Sequence, residues 1–432
     1  MADVRPFRAI RYATVPGADV SSLTAPPYDV IDAATRSALV ARDSHNVVAL
    51  ELPEGSLDPA DARGRYAVAA DRWARWREGG VLEADTDPAV YVVEQAYELR
   101  GRTIRRRAFI AAVMLEPFSA GVVLPHERTL PKAIADRLEM TRATAANLSQ
   151  VFGMFADREG TTDPLFAVAM SSDALATATD DDGVVSTLWA LRDPDAIAAL
   201  SGHLAGERIF IADGHHRYTT ALAYRDERRS SSPVSVEEPP AYDSVMMALV
   251  NMDDPDLIIH PTHRVANAIG GFDPESFRAA LARHFTVEDA PTGDPLAVLA
   301  AAAHTGPAFL VRTRDGETRL VTLRPDVDHG PAFPPRTSDA WRSLDVAVLQ
   351  ELMLDPLLGI HPDRPETLER LSFVKDADAA LAMAGERDVV FVMNATRMDQ
   401  LARVAGGGET MPQKSTYFYP KLLSGLLFKS LE

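Results

Sequence analysis

Apolar residues recur along this chain in two rhythms, and the clearest change of rhythm lies in its middle. Residues 208 to 212 (Arg-Ile-Phe-Ile-Ala) form a short apolar run fit for a buried strand. Asp213-Gly214 then breaks it. Tyr218, Ala221, Leu222 and Arg225 follow at helical spacing. The pattern predicts a strand, a tight turn and a helix. Asp213 is placed to cap that helix, and Gly214 tolerates a positive φ or a close backbone approach. The polar run His215-His216-Arg217 falls on the first helical turn, where backbone N–H groups lack helical acceptors and anions are favoured. The corner reads as a phosphate cradle, the plainer alternative being a helix start with two hydrogen-bonding histidines and a surface arginine.

The same rhythms predict the other elements. Strands are expected over 4–12, 46–52, 152–155, 165–171, 184–191 and 244–251, with hairpins over 90–115 and 306–324. Helices are expected over 33–41, 60–78, 131–150, 194–204 and 344–354, the last stopped by Pro356. Residues 272–288 give a helix and a strand, and residues 364–405 alternate the two. Arg105-Arg106-Arg107 reads as a solvated hairpin edge, with a phosphate-contact role as the lesser alternative. Residues 230–240 form a Ser/Pro-rich linker. This alternation places the chain in the α/β class with mixed α+β character. Three regions are expected: an N-terminal α+β region at 1–115, a core at 116–235 and a C-terminal α/β region at 236–432.

Composition narrows the function. At 432 residues, 46% of them hydrophobic, the chain can bury a large core. A net charge of −18 argues against binding nucleic acid through bulk phosphate neutralisation. The absence of cysteine excludes disulfides, thiolate catalysis and zinc–thiolate sites in this chain. Neither a signal-peptide core nor a membrane-length apolar run stands out, so a cytoplasmic location without a membrane partner is expected.

Further polar clusters stand at element boundaries. His126-Glu127 lies between an apolar run and a helix, with Glu127 a candidate general base. Taken alone, that stretch reads first as a charged helix start with i,i+4 pairs. Tyr28 and Asp29 follow two prolines in a stiff loop that suits either a binding role or a plain connector. Thr262, His263 and Arg264 are candidate ligand-facing residues at a strand end. His260 and His263 make a poor metal pair, because Pro261 prevents a regular helix between them. Lys414, Ser415 and Thr416 follow a glycine-rich stretch, but the spacing of a Walker phosphate loop is missing. Lys414 is one of only five lysines, the others being Lys132, Lys375, Lys421 and Lys429, and it is a candidate ligand contact.

Three stretches together carry a resemblance over nearly the whole chain. Ala25-Pro26-Pro27-Tyr28-Asp29-Val30-Ile31, Asp213-Gly214-His215-His216-Arg217-Tyr218 and Met411-Pro412-Gln413-Lys414-Ser415-Thr416-Tyr417-Phe418-Tyr419-Pro420-Lys421 resemble the bacterial family called domain of unknown function ten-fifteen. His126-Glu127 followed by Asp213-Gly214-His215-His216-Arg217 is also similar to the active-site pattern of free serine kinases of the ParB/sulfiredoxin-like superfamily. That resemblance implies a ParB/sulfiredoxin-like nucleotide-binding core with additional mixed-sheet domains. It implies Glu127 as the base that activates a serine hydroxyl, and Asp213 as a phosphate-site acid supporting Mg²⁺. It implies Gly214, His215, His216 and Arg217 as phosphate contacts, with His126 near the acceptor. ATP or ADP, Mg²⁺ and a hydroxy amino acid are then the expected ligands, with room for a homo-oligomer and none for nucleic acid. Two other readings stay open: a nucleotide-binding switch or scaffold without turnover, and a metal-dependent phosphohydrolase built on Asp213, His215 and His216.

Overall fold

The structure, a computed structural model, describes every residue except 59, 60, 62, 100 and 232–238. The expected helix start at 60, the turn residue Arg100 and most of the expected linker therefore lie outside the described residues. The chain divides into two compact units. The first comprises Met1–Pro125, Thr129–Ile258 and Pro420–Glu432, and the second His126–Arg128 and Ile259–Tyr419. The boundaries expected after 115 and after 235 both fall within the ranges of the first unit.

The first unit is built on a large mixed sheet. Its long hairpin, Val90–Leu99 with Arg102–Met114, is antiparallel, as the alternation predicts. Ser244–Asn251 pairs antiparallel with the second hairpin strand and parallel with Val151–Phe155. Ile209–Asp213 lies beyond, antiparallel to Val151–Phe155 and parallel to the short strand Val123–Leu124. Val92, Phe109, Val151, Ile209, Ile211 and Leu249 are fully buried in the main apolar cluster. Each such side chain contributes about 1.5–3 kcal/mol by leaving water. Gly153 is what this packing permits: a Cβ there would lie 2.6 Å from Met247 Sδ and 2.9 Å from Ile209 Cγ2. The second unit carries a six-stranded antiparallel sheet in the order Phe285–Asp289, Thr318–Leu323, Ala308–Thr313, Val389–Met393, His263–Ala266, Leu371–Val374. Among the described residues no helix is long and apolar enough to cross a membrane.

Several expected elements differ. Residues 46–52 hold the helical turn Val48–Glu51 instead of a strand. Asn46 decides this: its Oδ1 accepts from Val48 N–H, and its Nδ2 donates to Ser22 O and Thr24 O. The apolar run at 165–171 belongs to the helix Asp163–Met170, started by Pro164 in its first turn. Short apolar runs do not distinguish the two periods, and local capping chemistry settles them. The opening strand is two pieces, Val4–Arg5 and Ile10–Tyr12. The helix begun at Pro131 ends at Thr144, where Ala145 adopts φ +46°. Pro356 does not stop its helix. A wide π turn over Gln350–Leu354 precedes it, the proline takes the first turn of Asp355–Leu358, and Gly359 at φ +72° ends the run. Arg106 is not on a solvated edge. Strand alternation turns it away from Arg105 and Arg107, and it is buried.

The helix Asp345–Leu349 holds a perturbed acid. Burial pushes the Asp345 carboxyl up to about 6 against the hydrogen bond from Asn394. A carboxyl raised on folding holds its proton longer in the folded state, so stability falls as pH rises from about 4 to about 6. Asp345→Asn is expected to raise Tm at pH 8 and leave it unchanged at pH 4, as thermal melts at the two pH values would show.

Candidate functional site

Sequence and sheet together shape the corner at Asp213. Opposite Gly153 and Phe152 the strand places Ile211 and Asp213, so Ala212 is an extra residue. Such a bulge re-aims the side chain that follows it. Gly214 then takes φ +89°, and Tyr218 N–H donates to its carbonyl (3.0 Å), which opens the helix His215–Ser231. An added Cβ at Gly214 would lie 2.9 Å from Arg217 Nε. Tyr218 anchors the helix to the core: it is fully buried, and its hydroxyl donates to Glu116 O (2.9 Å) and accepts from Glu116 N–H (3.1 Å).

Asp213 stands between two cations. Its Oδ1 accepts from Gly214 N–H (2.7 Å), and its Oδ2 faces Lys421 Nζ at 3.0 Å and Arg217 Nη2 at 3.7 Å. Burial pushes this carboxyl up, but Lys421, Arg217 and the more modest field of His215 outweigh it and hold it well below the ordinary range. Arg217 Nη1 also donates to Gln150 O. Burial disfavours its charge, yet Asp213, with Asp29, Tyr28 and Glu51, raises its pKa above the usual arginine value. His216 Nε2 accepts from Leu130 N–H (2.9 Å).

Two residues of this corner carry little local signal in the sequence. Arg106 is 1% exposed, stands over the Phe152 ring at 4.9 Å, and donates through Nη2 to Pro420 O (2.5 Å) and to Gln95. Its Nη1 has no protein partner. Burial brings its pKa down to about 10, with Tyr97 and Asp254 opposing. Gln95 Nε2 donates to Lys421 O (2.9 Å), so Arg106 and Gln95 clamp the segment that delivers Lys421 to Asp213. Lys421 ends the C-terminal stretch that carries the family resemblance, yet nothing near it in the sequence points to Asp213. Two cations, Arg217 and Lys421, thus meet the Asp213 carboxylate at a helix N-terminus, and Arg106 holds the backbone that carries Lys421.

The expected Mg²⁺ ligation by Asp213 does not fit this geometry. A divalent ion on Oδ2 would confront Lys421 and Arg217 directly. Among the described residues no group of three His, Cys, Asp or Glu could hold a metal ion. Apart from Asp213 itself, the charged groups facing one another here, Lys421 and Arg217, are cations.

The remaining named residues gather in the second unit, apart from Tyr28 and Asp29, which lie in the first. Glu127 Oε1 accepts from Ser415 N–H (3.2 Å), and His126 Nε2 hydrogen-bonds Thr416 Oγ1 (2.8 Å). Arg264 donates to Thr262 O and through Nη2 to Lys414 O (2.9 Å), holding the 413–416 turn. Burial brings its pKa down to about 10 against the field of Glu127. Lys414 is exposed at φ +57°, a left-handed conformation that costs about 1–3 kcal/mol in a non-glycine residue. His263 is fully buried, and its Nδ1 accepts from Met393 N–H (3.3 Å). Burial and the Arg264 charge bring its pKa down to about 4, so it stays neutral at physiological pH. This places it as a structural acceptor and not as a ligand-facing cation.

The profile of the family described as "Protein of unknown function (DUF1015)" matches residues 4–347. No curated protein sequence matches the chain. Among solved structures, a conserved hypothetical protein from Pyrococcus furiosus is 13% identical at TM-score 0.34, covering 73% of this chain and 92% of its own. A free serine kinase in complex with AMP is 12% identical at TM-score 0.35, covering 72% and 86%. SbnI with a C-terminal truncation, from Staphylococcus aureus, is 12% identical at TM-score 0.36, covering 73% and 85%. At such values no residue role passes from those proteins to this chain.

Proposed function

The chain belongs to the DUF1015 family, and we propose that its Asp213–Arg217 corner grips the phosphates of a nucleotide for transfer to a small hydroxyl-bearing metabolite, free L-serine first among them. One observation carries the reading: two cations, Lys421 and Arg217, converge on the carboxylate of Asp213 at the start of a 17-residue helix. Burying such an excess of positive charge is costly unless an anion completes it. A helix N-terminus adds its own positive field.

In this reading the first unit contributes a ParB/sulfiredoxin-like nucleotide-binding core. Gly214 lets the backbone approach the phosphates, and His215, His216 and Arg217 contact them. The nucleotide is ATP or ADP. The serine oxygen attacks the terminal phosphorus as the bridging P–O bond breaks. The hydroxyl proton leaves to solvent, and the products are O-phosphoserine and a nucleotide one phosphate shorter. The protein's share is alignment and charge stabilisation, which dominate phosphoryl transfer. No residue of the corner is assigned to magnesium.

The test is direct. Purified protein is incubated with ATP or ADP, magnesium and L-serine or other hydroxy amino acids, and phosphorylated product is followed by mass spectrometry. O-phosphoserine is expected. Absence of any phosphorylated product across the panel overturns the proposal.

A further inference from the structure

The first unit also holds a cavity of about 50 Å³ whose walls include Tyr28, Glu51, Arg137, Ser149, Arg217 and Thr220. Two of its walls present unanswered polar atoms. Glu51 is 1% exposed and Thr220 3%, and neither Glu51 Oε2 nor Thr220 Oγ1 has a hydrogen-bond partner in the protein. Buried polar atoms are almost always paired, so two orphans on one cavity call for something to fill it.

The surrounding charges indicate what fills it. Arg137 is bound through Nε and Nη2 to Asp136 (2.9 and 2.6 Å), through Nη1 to Glu51 O (3.1 Å), and lies over the Tyr28 ring at 4.3 Å. Arg217 is bound to Gln150 and Asp213. A guanidinium has more N–H donors than these bonds use, so both arginines keep donors to spend. The cavity therefore offers an acceptor carboxylate oxygen on one wall and surplus cationic donors on others. A ligand with only an amine leaves the arginines unanswered, and one with only a carboxylate confronts Glu51. A zwitterion answers both signs. The room corresponds to roughly four water molecules, the bulk of one small amino acid.

We propose that this cavity is a binding site for a small α-amino acid. Its ammonium donates to Glu51 Oε2, its carboxylate accepts from Arg137 and Arg217, and Thr220 Oγ1 closes the polar ring. The site goes beyond the phosphate reading, since it needs no nucleotide and no turnover.

Calorimetric titration of the full chain, without nucleotide, tests it with glycine, L-alanine and L-serine, and with ethanolamine and propionate as singly charged probes. The zwitterions are expected to bind and to raise Tm with concentration. The singly charged probes are expected to bind about tenfold more weakly or worse, and Glu51→Gln to cost the zwitterions a similar factor. Thr220→Val keeps the side-chain shape and serves if Glu51→Gln fails to fold; it too is expected to weaken binding. Binding of no zwitterion, with ordered water alone in the cavity, overturns the site, as does unchanged affinity in the variants. Phosphoserine formation with an unchanged serine KM in Glu51→Gln would remove this site and spare the kinase reading. Glu51-dependent binding without product would do the reverse.

Discussion

Arg217→Ala is expected to lower phosphoryl transfer by about a thousandfold or more, the scale of removing an arginine that neutralises transition-state charge. Arg217 has three simultaneous duties in the corner. It faces Asp213, it donates to Gln150 O, and its guanidinium covers the open side of Gly214. Alanine removes a cation and loosens the backbone at Gln150. Arg217→Lys is expected to restore little, because an ammonium cannot span Gln150 and Asp213 with one planar fork. Steady-state kinetics with ATP or ADP and serine checks both variants, and thermal melts show that they fold. Activity within tenfold of wild type in Arg217→Ala would remove the corner from the reaction.

The second large effect is on stability. Asp213→Asn keeps the side-chain shape and removes a carboxylate that Lys421 and Arg217 share in the corner. Breaking a buried ion pair costs about 3–5 kcal/mol. The side chains of Asp213 and Lys421 are 19% and 15% exposed, so solvent screens part of that, and a loss of about 2–3 kcal/mol is expected. The sign with pH follows from the depressed carboxyl. Its contribution is complete above the ordinary carboxyl range near pH 4 and is lost as pH falls below it, so the variant's deficit is expected to vanish in acid. Phosphate in the buffer is expected to restore more stability to the variant than to the wild type, because an added anion replaces the missing charge. Denaturant melts at neutral and acid pH, with and without phosphate, decide it. Equal stability of the two proteins in phosphate-free buffer would mean that the cations do not need Asp213.

Much of the corner was legible before any coordinates. Ile209–Asp213, the turn at Gly214 and the helix from His215 follow from a change of apolar period and one glycine, and the structure places them there. His126, Glu127, Arg264, Lys414, Ser415 and Thr416 lie in three separate stretches of the sequence, and the second unit joins them by hydrogen bonds. Where the sequence misled, the cause was local. Asn46 caps a turn that its apolar neighbours disguise as a strand, and Pro164 starts a helix in a run that is equally apolar as a strand.

The order of residues alone determined the mixed α/β class, the strand–turn–helix corner and the exclusion of cysteine chemistry, because period, glycine and composition act over a few neighbouring positions. Only the tertiary structure decided which charges meet there. Lys421 reaches Asp213 across 208 positions of sequence, and Arg106 reaches Pro420 across 314. Strand alternation, not composition, turned Arg106 inward from between two solvated arginines. Electrostatic partnership depends on distance and burial in space, and no local pattern encodes either over such separations.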